Sequence, residues 1–325
     1  MKNVVRVDPQ NPARAAIERA AELLRAGRLV AFPTETVYGL GAHALDPQAV
    51  RRIFDAKQRP DWDPLIVHVR DVGMARKLMK RQLPQFDLLA ERFWPGALTL
   101  VVAKSGRVPD EVTARRPTVA LRMPRHPVAA ALLTIADLPV AAPSANRFGR
   151  PSPTRAEHVV EDLRDRVDLI LDAGPTTLGV ESTVLDLTQS PPAILRPGGV
   201  SREELQTVLG EMRIAPGVSD ELAGRGLAGP GMTLKHYAPR APVELFETNE
   251  QLEKRVLELQ GQGKRVGMVV NSMDAAVLAR TLFAQLRELD AQAVDVILCI
   301  LPAAEGIGWA VRDRLFRAAG LPVGK

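Results

Sequence analysis

Cysteine is nearly absent from this 325-residue chain: its single thiol, Cys299, sits inside the apolar run at 294–300. One thiol excludes an intramolecular disulfide, which fits a reducing compartment, and its setting reads as a small core side chain. Aromatic residues are also scarce, at 4%. Apolar surface must therefore be aliphatic, and paired aromatics for stacking single-stranded bases are missing. No uninterrupted apolar stretch approaches the ~18 residues of a membrane span, and residues 1–8 hold no apolar signal core. A cytoplasmic chain without a membrane segment is the expectation. The motifs G-x-x-x-x-G-K-[ST], H-E-x-x-H, paired C-x-x-C and G-x-S-x-G do not occur, which removes P-loop, zinc-hydrolase and serine-elbow chemistry. His43, His126, His158 and His236 show no metal-ligand spacing.

What is present points elsewhere. The length favours two domains, and the formal net charge of +5 favours polyanionic partners. Strand-like runs at 4–7, 29–32, 65–69, 97–102, 119–121, 140–142, 169–171, 183–187 and 193–195 interleave irregularly with helical patterns at 12–26, 47–57, 72–80, 86–93, 127–136 and 154–163. Capping-box patterns precede two helices, Thr154-Arg-Ala-Glu157 and Ser201-Arg-Glu-Glu204. Such irregular alternation implies a mixed α/β sheet rather than a doubly wound parallel one. Gly and Pro then dominate 211–241, which reads as an interdomain linker, yet it carries Lys235-His-Tyr-Ala-Pro239, a cluster no tether requires. From 242 a regular βαβαβα pattern predicts a small three-layer αβα domain. The domains are thus 1–210, a linker at 211–241, and 242–325.

The chemistry gathers at strand ends. Pro33-Thr-Glu-Thr-Val-Tyr-Gly-Leu-Gly41, then Lys57-Gln-Arg59, then His68 bring together hydroxyls, a carboxylate, two cations and an imidazole. Gly39-Leu-Gly41-Ala-His-Ala44 matches a dinucleotide fingerprint, but Pro33–Thr36 intervenes after the strand and the helix begins later, so Gly39 and Gly41 read as backbone turns. Arg122 and Arg196 each end a strand, where a guanidinium can grip a carboxylate or phosphate. Each cation singly fits a structural ion pair; four at comparable positions point to an anionic ligand. Ala142-Pro-Ser-Ala-Asn146 and Gly179-Val-Glu-Ser-Thr183 add close-approach backbone and neutral hydrogen-bonding groups, or simple turns. No activated nucleophile stands out, so a reaction run by positioning and charge neutralisation, such as nucleotidyl transfer, fits better than covalent catalysis.

In this order, Pro33–Gly41, Ala56-Lys-Gln-Arg-Pro60, Pro64-Leu-Ile-Val-His68, Phe93-Trp-Pro-Gly96, Ala142–Asn146, Pro151-Ser-Pro-Thr154, Gly179–Thr183 and Leu195-Arg-Pro-Gly198 resemble the YrdC-like threonylcarbamoyl-adenylate synthases. Pro230-Gly-Met232 with His236-Tyr-Ala-Pro239, and Gly306-Ile-Gly308, resemble the long two-domain form. The resemblance implies a twisted mixed-sheet YrdC-like domain around a basic cavity, plus a smaller Rossmann-like αβα domain. It implies synthesis of threonylcarbamoyl-AMP and pyrophosphate from L-threonine, bicarbonate and ATP with Mg²⁺. The product would pass to a tRNA-modifying threonylcarbamoyl transferase complex. By position, Thr36, His68, Arg122, Ala142 (through its backbone) and Ser182 would hold threonine. Lys57, Arg59, Thr118, Ser144, Asn146, Ser152, Arg196 and Tyr237 would hold ATP, with Lys57 and Arg59 catalytic. Asp63 falls among the nucleotide contacts where the family commonly has Asn, and a carboxylate there would repel phosphates unless it binds Mg²⁺. The competing reading, motivated by the basic charge, is a double-stranded-RNA or ribosome-binding protein with steeply salt-dependent binding, and weak RNA binding is compatible with either.

Overall fold

A computed structural model describes residues 3–215, 237–270 and 274–322. The glycine-rich run at 224–231, Met232, Lys235 and His236 lie outside the described residues. The strands are β1 (Val4–Arg6), β2 (Val30–Pro33), β3 (Tyr38–His43), β4 (Ile66–His68), β5 (Leu98–Ala103), β6 (Thr118–Arg122), β7 (Val140–Ala141), β8 (Leu169–Asp172), β9 (Thr183–Asp186), β10 (Ala193–Arg196), β11 (Arg213–Ile214), β12 (Val243–Phe246), β13 (Val266–Met268) and β14 (Val296–Ile300). The helices are α1 (Arg14–Arg25), α2 (Pro47–Lys57), α3 (Val72–Leu78), α4 (Pro84–Phe93), α5 (Asp110–Thr113), α6 (Pro127–Ala136), α7 (Ala156–Leu163), α8 (Arg202–Leu209), α9 (Asn249–Gly261), α10 (Ala275–Ala291) and α11 (Gly308–Ala318).

Eleven strands form one mixed sheet in the order β1-β8-β2-β3-β7-β4-β6-β5-β9-β10-β11, and three form a parallel sheet in the order β12-β14-β13. The alternation of β2 shows why the large sheet lies between two layers. Leu29 and Ala31 join a core with Ile53 of α2, Phe86 and Leu89 of α4 and Val159 of α7. Val30 and Phe32, one residue out of phase, join a core with Ile17 and Leu24 of α1 and Val128 and Leu132 of α6. A third core belongs to the small domain, yet it includes Val37 and Val180 of the large one. The two domains therefore share buried apolar surface.

Three readings of the sequence are corrected by the backbone. Gly39 and Gly41 lie in β3, which pairs antiparallel with β2 and β7, not in turns. Two glycines weaken strand propensity, so the run does not advertise itself. A Cβ on Gly41 would sit 2.8 Å from the Phe32 ring and 2.9 Å from Val140, so packing explains the missing side chain. Thr154 does not cap α7, because the helix starts later, with Arg155 at its cap and no side-chain cap bond. The Ser201–Glu204 capping box is formed as read. Within the glycine-rich stretch from 211, Arg213–Ile214 pairs with β10 as the sheet's edge, too short to show a period.

Candidate active site

Strand register brings the polar residues together. His68 lies opposite Arg122 across the parallel β4/β6 pair and opposite Val140 across the antiparallel β4/β7 pair. His68 and Arg122 line a cleft of about 540 Å³, open mouth included, with Thr34, Thr36, Val37, Gly39, Arg59, Ile66, Ala142, Pro143, Ser144, Glu181, Ser182, Arg196 and Tyr237. Arg59, Arg122 and Arg196 are 9%, 4% and 5% exposed. Of these guanidiniums, Arg59 and Arg122 are already paired with Asp63 and Glu35, and the lining carboxylate Glu181 is paired with Arg314. The N–H groups that Arg59, Arg122 and Arg196 leave over, rather than a net charge, suit an anionic ligand.

One side of the cleft carries the residues assigned by resemblance to threonine. His68 is buried, and its Nδ1 has no hydrogen-bond partner among the described residues. Burial, reinforced by the Arg122 cation, pushes its pKa down to about 3, so the ring is neutral at any working pH. The Arg122 Nε donates to the Gly96 carbonyl (3.2 Å) and its Nη2 to Glu35 Oε1 (2.8 Å). Glu35 Oε2 accepts from the Arg125 backbone N–H. Burial acts to raise the Glu35 pKa, but the Arg122 cation prevails and holds the carboxyl below its ordinary value. The hydroxyls of Thr34 and Thr36 are 2.8 Å apart, and Ser182 Oγ is 2.8 Å from Thr99 Oγ1. The Ala142 N–H donates to the Ile66 carbonyl, so a backbone contact to a ligand would fall to the Ala142 carbonyl.

The residues assigned to ATP divide. Arg59, Ser144, Arg196 and Tyr237 line the cleft. Arg59 pairs with Asp63 at 2.8 Å, donates to the carbonyls of Asp63 and Pro64, and stands over the Phe148 ring. Asp63 is fully buried against that guanidinium, so its charge is met by Arg59. Arg196 donates to the Ser182 carbonyl at 2.9 Å. Tyr237 is 1% exposed, beside Phe283 and beneath the Arg314 guanidinium.

Lys57, Asn146, Ser152 and Thr118 are placed behind or beside the cleft. The Lys57 ammonium donates to the carbonyls of Ser144 and Asn146. Burial, then the Arg59 cation, push its pKa well below the ordinary lysine value. Asn146 donates to the Arg147 and Arg150 carbonyls, and the Ser152 hydroxyl to Glu181. Thr118 opens β6, whose other end is Arg122. Sequence reasoning assigned no role to Thr34, Glu35, Glu181 or Arg314. The first three lie inside motifs already singled out for mixed polar chemistry, whereas Arg314 has the signature of any helical arginine.

Two glycines set close approaches. A Cβ on Gly198 would lie 2.3 Å from the Thr183 backbone, and one on Gly179, at φ +82°, would lie 2.4 Å from the Ala279 carbonyl of α10. Only glycine admits both contacts.

Residues 22–198 match a family model described as "Telomere recombination", and residues 200–320 match one described as "Threonylcarbamoyl-AMP synthase, C-terminal domain". The threonylcarbamoyl-AMP synthase of Pyrococcus abyssi is 46% identical over 320 residues, covering 94% of both chains. The chain belongs to the threonylcarbamoyl-AMP synthase family. The Bacillus subtilis synthase is 42% identical, covering 96% of this chain and 94% of its own length. A structure titled "Crystal structure of P. abyssi Sua5 complexed with L-threonine" superposes with a TM-score of 0.92 at 44% identity, covering 98% of this chain and 97% of that one. This chain is thus a two-domain synthase with a mixed-sheet first domain and a small parallel-sheet second one, an enzyme of the nucleotidyltransferase type. Among the described residues, no helix is long and apolar enough to cross a membrane.

Proposed function

We propose that the cleft joins L-threonine, bicarbonate and ATP to give threonylcarbamoyl-AMP and pyrophosphate. Three buried arginines and a neutral imidazole around one cleft carry this reading. Two of the five Arg122 N–H groups are engaged by Gly96 and Glu35; the guanidinium can still offer a fork to the threonine carboxylate. The hydroxyls of Thr36 and Ser182 suit the side-chain hydroxyl and amine, and His68 supplies a polar edge with no charge to repel the ammonium. The amine, once deprotonated, condenses with bicarbonate to a carbamate, releasing water. A carbamate oxygen then bonds the α-phosphorus as the bond from that phosphorus to the bridging oxygen breaks, and pyrophosphate leaves with that oxygen. Arg59 and Arg196 face the charge that develops there, and the protein's share is positioning and neutralisation.

Magnesium would arrive with the nucleotide. Among the described residues no three His, Cys, Asp or Glu side chains are grouped to hold a metal, and Asp63 and Glu181 are already paired with Arg59 and Arg314. That donor set fits an ion held chiefly by triphosphate oxygens and water, whose part is to screen phosphate charge. The product, a mixed anhydride, would serve a transferase acting on tRNA. Purified protein should release pyrophosphate only when threonine and bicarbonate are both present. Release indifferent to threonine would overturn this reading.

A further inference from the structure

Around the nucleotide half of the cleft, the linker residue Ala238 and helices α10 and α11 meet the first domain at the turn 149–152, at Glu181 and at Pro197, and every residue of the turn is held. The Ala238 N–H donates to the Gly149 carbonyl (2.8 Å). Arg150 Nη2 pairs with Asp290 of α10 at 3.1 Å. Arg287, also of α10, donates to the Pro151 carbonyl and pairs with Asp162 at 2.6 Å. Ser152 donates to Glu181, whose other oxygen accepts from Arg314 Nε of α11 at 2.7 Å. Arg287 and Arg314 are 5% and 0% exposed, so both charges are desolvated and fixed by their partners. On the turn's other side, Lys57 grips the carbonyls of Ser144 and Asn146 and accepts the Phe148 N–H at its own carbonyl. The segment 144–152 is therefore held by Lys57 of the first domain on one side and by Arg287 and Asp290 of α10 on the other, with Arg314 reaching it only through Glu181. The polar groups of His68 and Arg122 have no comparable tie to α10 or α11: their partners, Gly96, Glu35 and the strand neighbours, all belong to the first domain.

We propose that Arg287 of the second domain is a positioning residue for the nucleotide, acting through the 149–152 turn, while threonine binding is independent of it. This rests on the reading that ATP lies along 144–152. A guanidinium donating to a buried carbonyl fixes it more firmly than a neutral bond would, so slackening the clamp lets Ser144 and Ser152 drift from the phosphates and leaves the threonine side in place.

The test uses the full-length chain with two substitutions chosen to fold. Arg150→Ala removes a side chain that is 26% exposed, and Asp290 keeps its backbone partners Arg240 and Ala241. Arg287→Lys keeps the charge and loses the fork. Each should raise the KM for ATP about tenfold, the loss of one charge-assisted bond, with threonine affinity measured without ATP unchanged within about twofold. Arg59→Ala and Ser144→Ala serve as controls on the site. If those controls weaken ATP binding but the clamp variants do not, the clamp is refuted. If threonine affinity falls in step with ATP, the role is merely structural and the proposal fails. If neither control changes ATP binding, the nucleotide lies elsewhere, and both readings fall.

Discussion

Replacing Gly179 by alanine probes the junction of the domains most sharply. Its φ of +82° is a conformation that L side chains avoid, and the added Cβ would sit 2.4 Å from the Ala279 carbonyl oxygen, 2.4 Å from Arg280 Cα and 2.7 Å from the Arg280 carbonyl. All three atoms are backbone of α10, so no rotamer change relieves the clash. The left-handed conformation costs about 1–2 kcal/mol for a residue with a Cβ. Overpacking against rigid backbone adds about 1–3 kcal/mol. A total near 3 kcal/mol, at roughly 2 °C per kcal/mol for a chain of this size, lowers the melting temperature by about 6 °C. The strain falls where Val180 and Leu178 meet Leu282 and Phe283, so amide exchange in α10 should accelerate beyond that in α2. Differential scanning calorimetry with hydrogen exchange gives both readouts. A Gly179→Ala protein with an unchanged melting temperature and an unchanged exchange pattern would refute the close-approach reasoning.

Three further outcomes follow from the geometry. Arg122→Lys should weaken threonine binding at least tenfold while ATP affinity changes little, because lysine cannot supply a fork and leaves Glu35 poorly met; calorimetric titration with each substrate checks it. Lys57→Met should lower stability by about 1–3 kcal/mol as well as ATP use, because the buried Asn146 carbonyl and the half-buried Ser144 carbonyl lose their donor; urea denaturation would show an effect on ATP alone to be inconsistent with this. The unfolded-state histidine binds its proton near pH 6.5, whereas His68 in the fold does so only near pH 3. Its contribution to stability is therefore complete above about pH 6.5 and is lost as pH falls toward 3, since the unfolded chain takes up the extra proton. His68→Gln should flatten stability against pH in that window, and an unchanged slope would contradict a neutral buried imidazole.

The large elements were legible because their apolar positions keep period: Pro47–Lys57 matches its helix to the residue, and most strands of both sheets stood out as aliphatic runs. β3 was not legible, since its glycines serve packing against Phe32 and Val140, a fact of the fold rather than of the local sequence. The cleft was half legible. Mixed hydroxyls, carboxylates and cations at strand ends marked it, and Thr36, Arg122 and Ser182 were readable there by type. That Asp63 neutralises Arg59, or that Lys57 holds carbonyls behind the cleft, depends on side-chain direction, which spacing does not encode. Arg314 and Arg287 were invisible for a different reason: they act across more than a hundred residues of sequence, on an ordinary amphipathic helix face.

The most direct test of the account is the mass spectrum of the product formed from ATP, threonine and isotopically labelled bicarbonate. One labelled carbon in an adenylate that also contains threonine, formed in step with pyrophosphate and lost on omission of any substrate, is the predicted result. An adenylate without the label, or pyrophosphate released without threonine in the product, would contradict it.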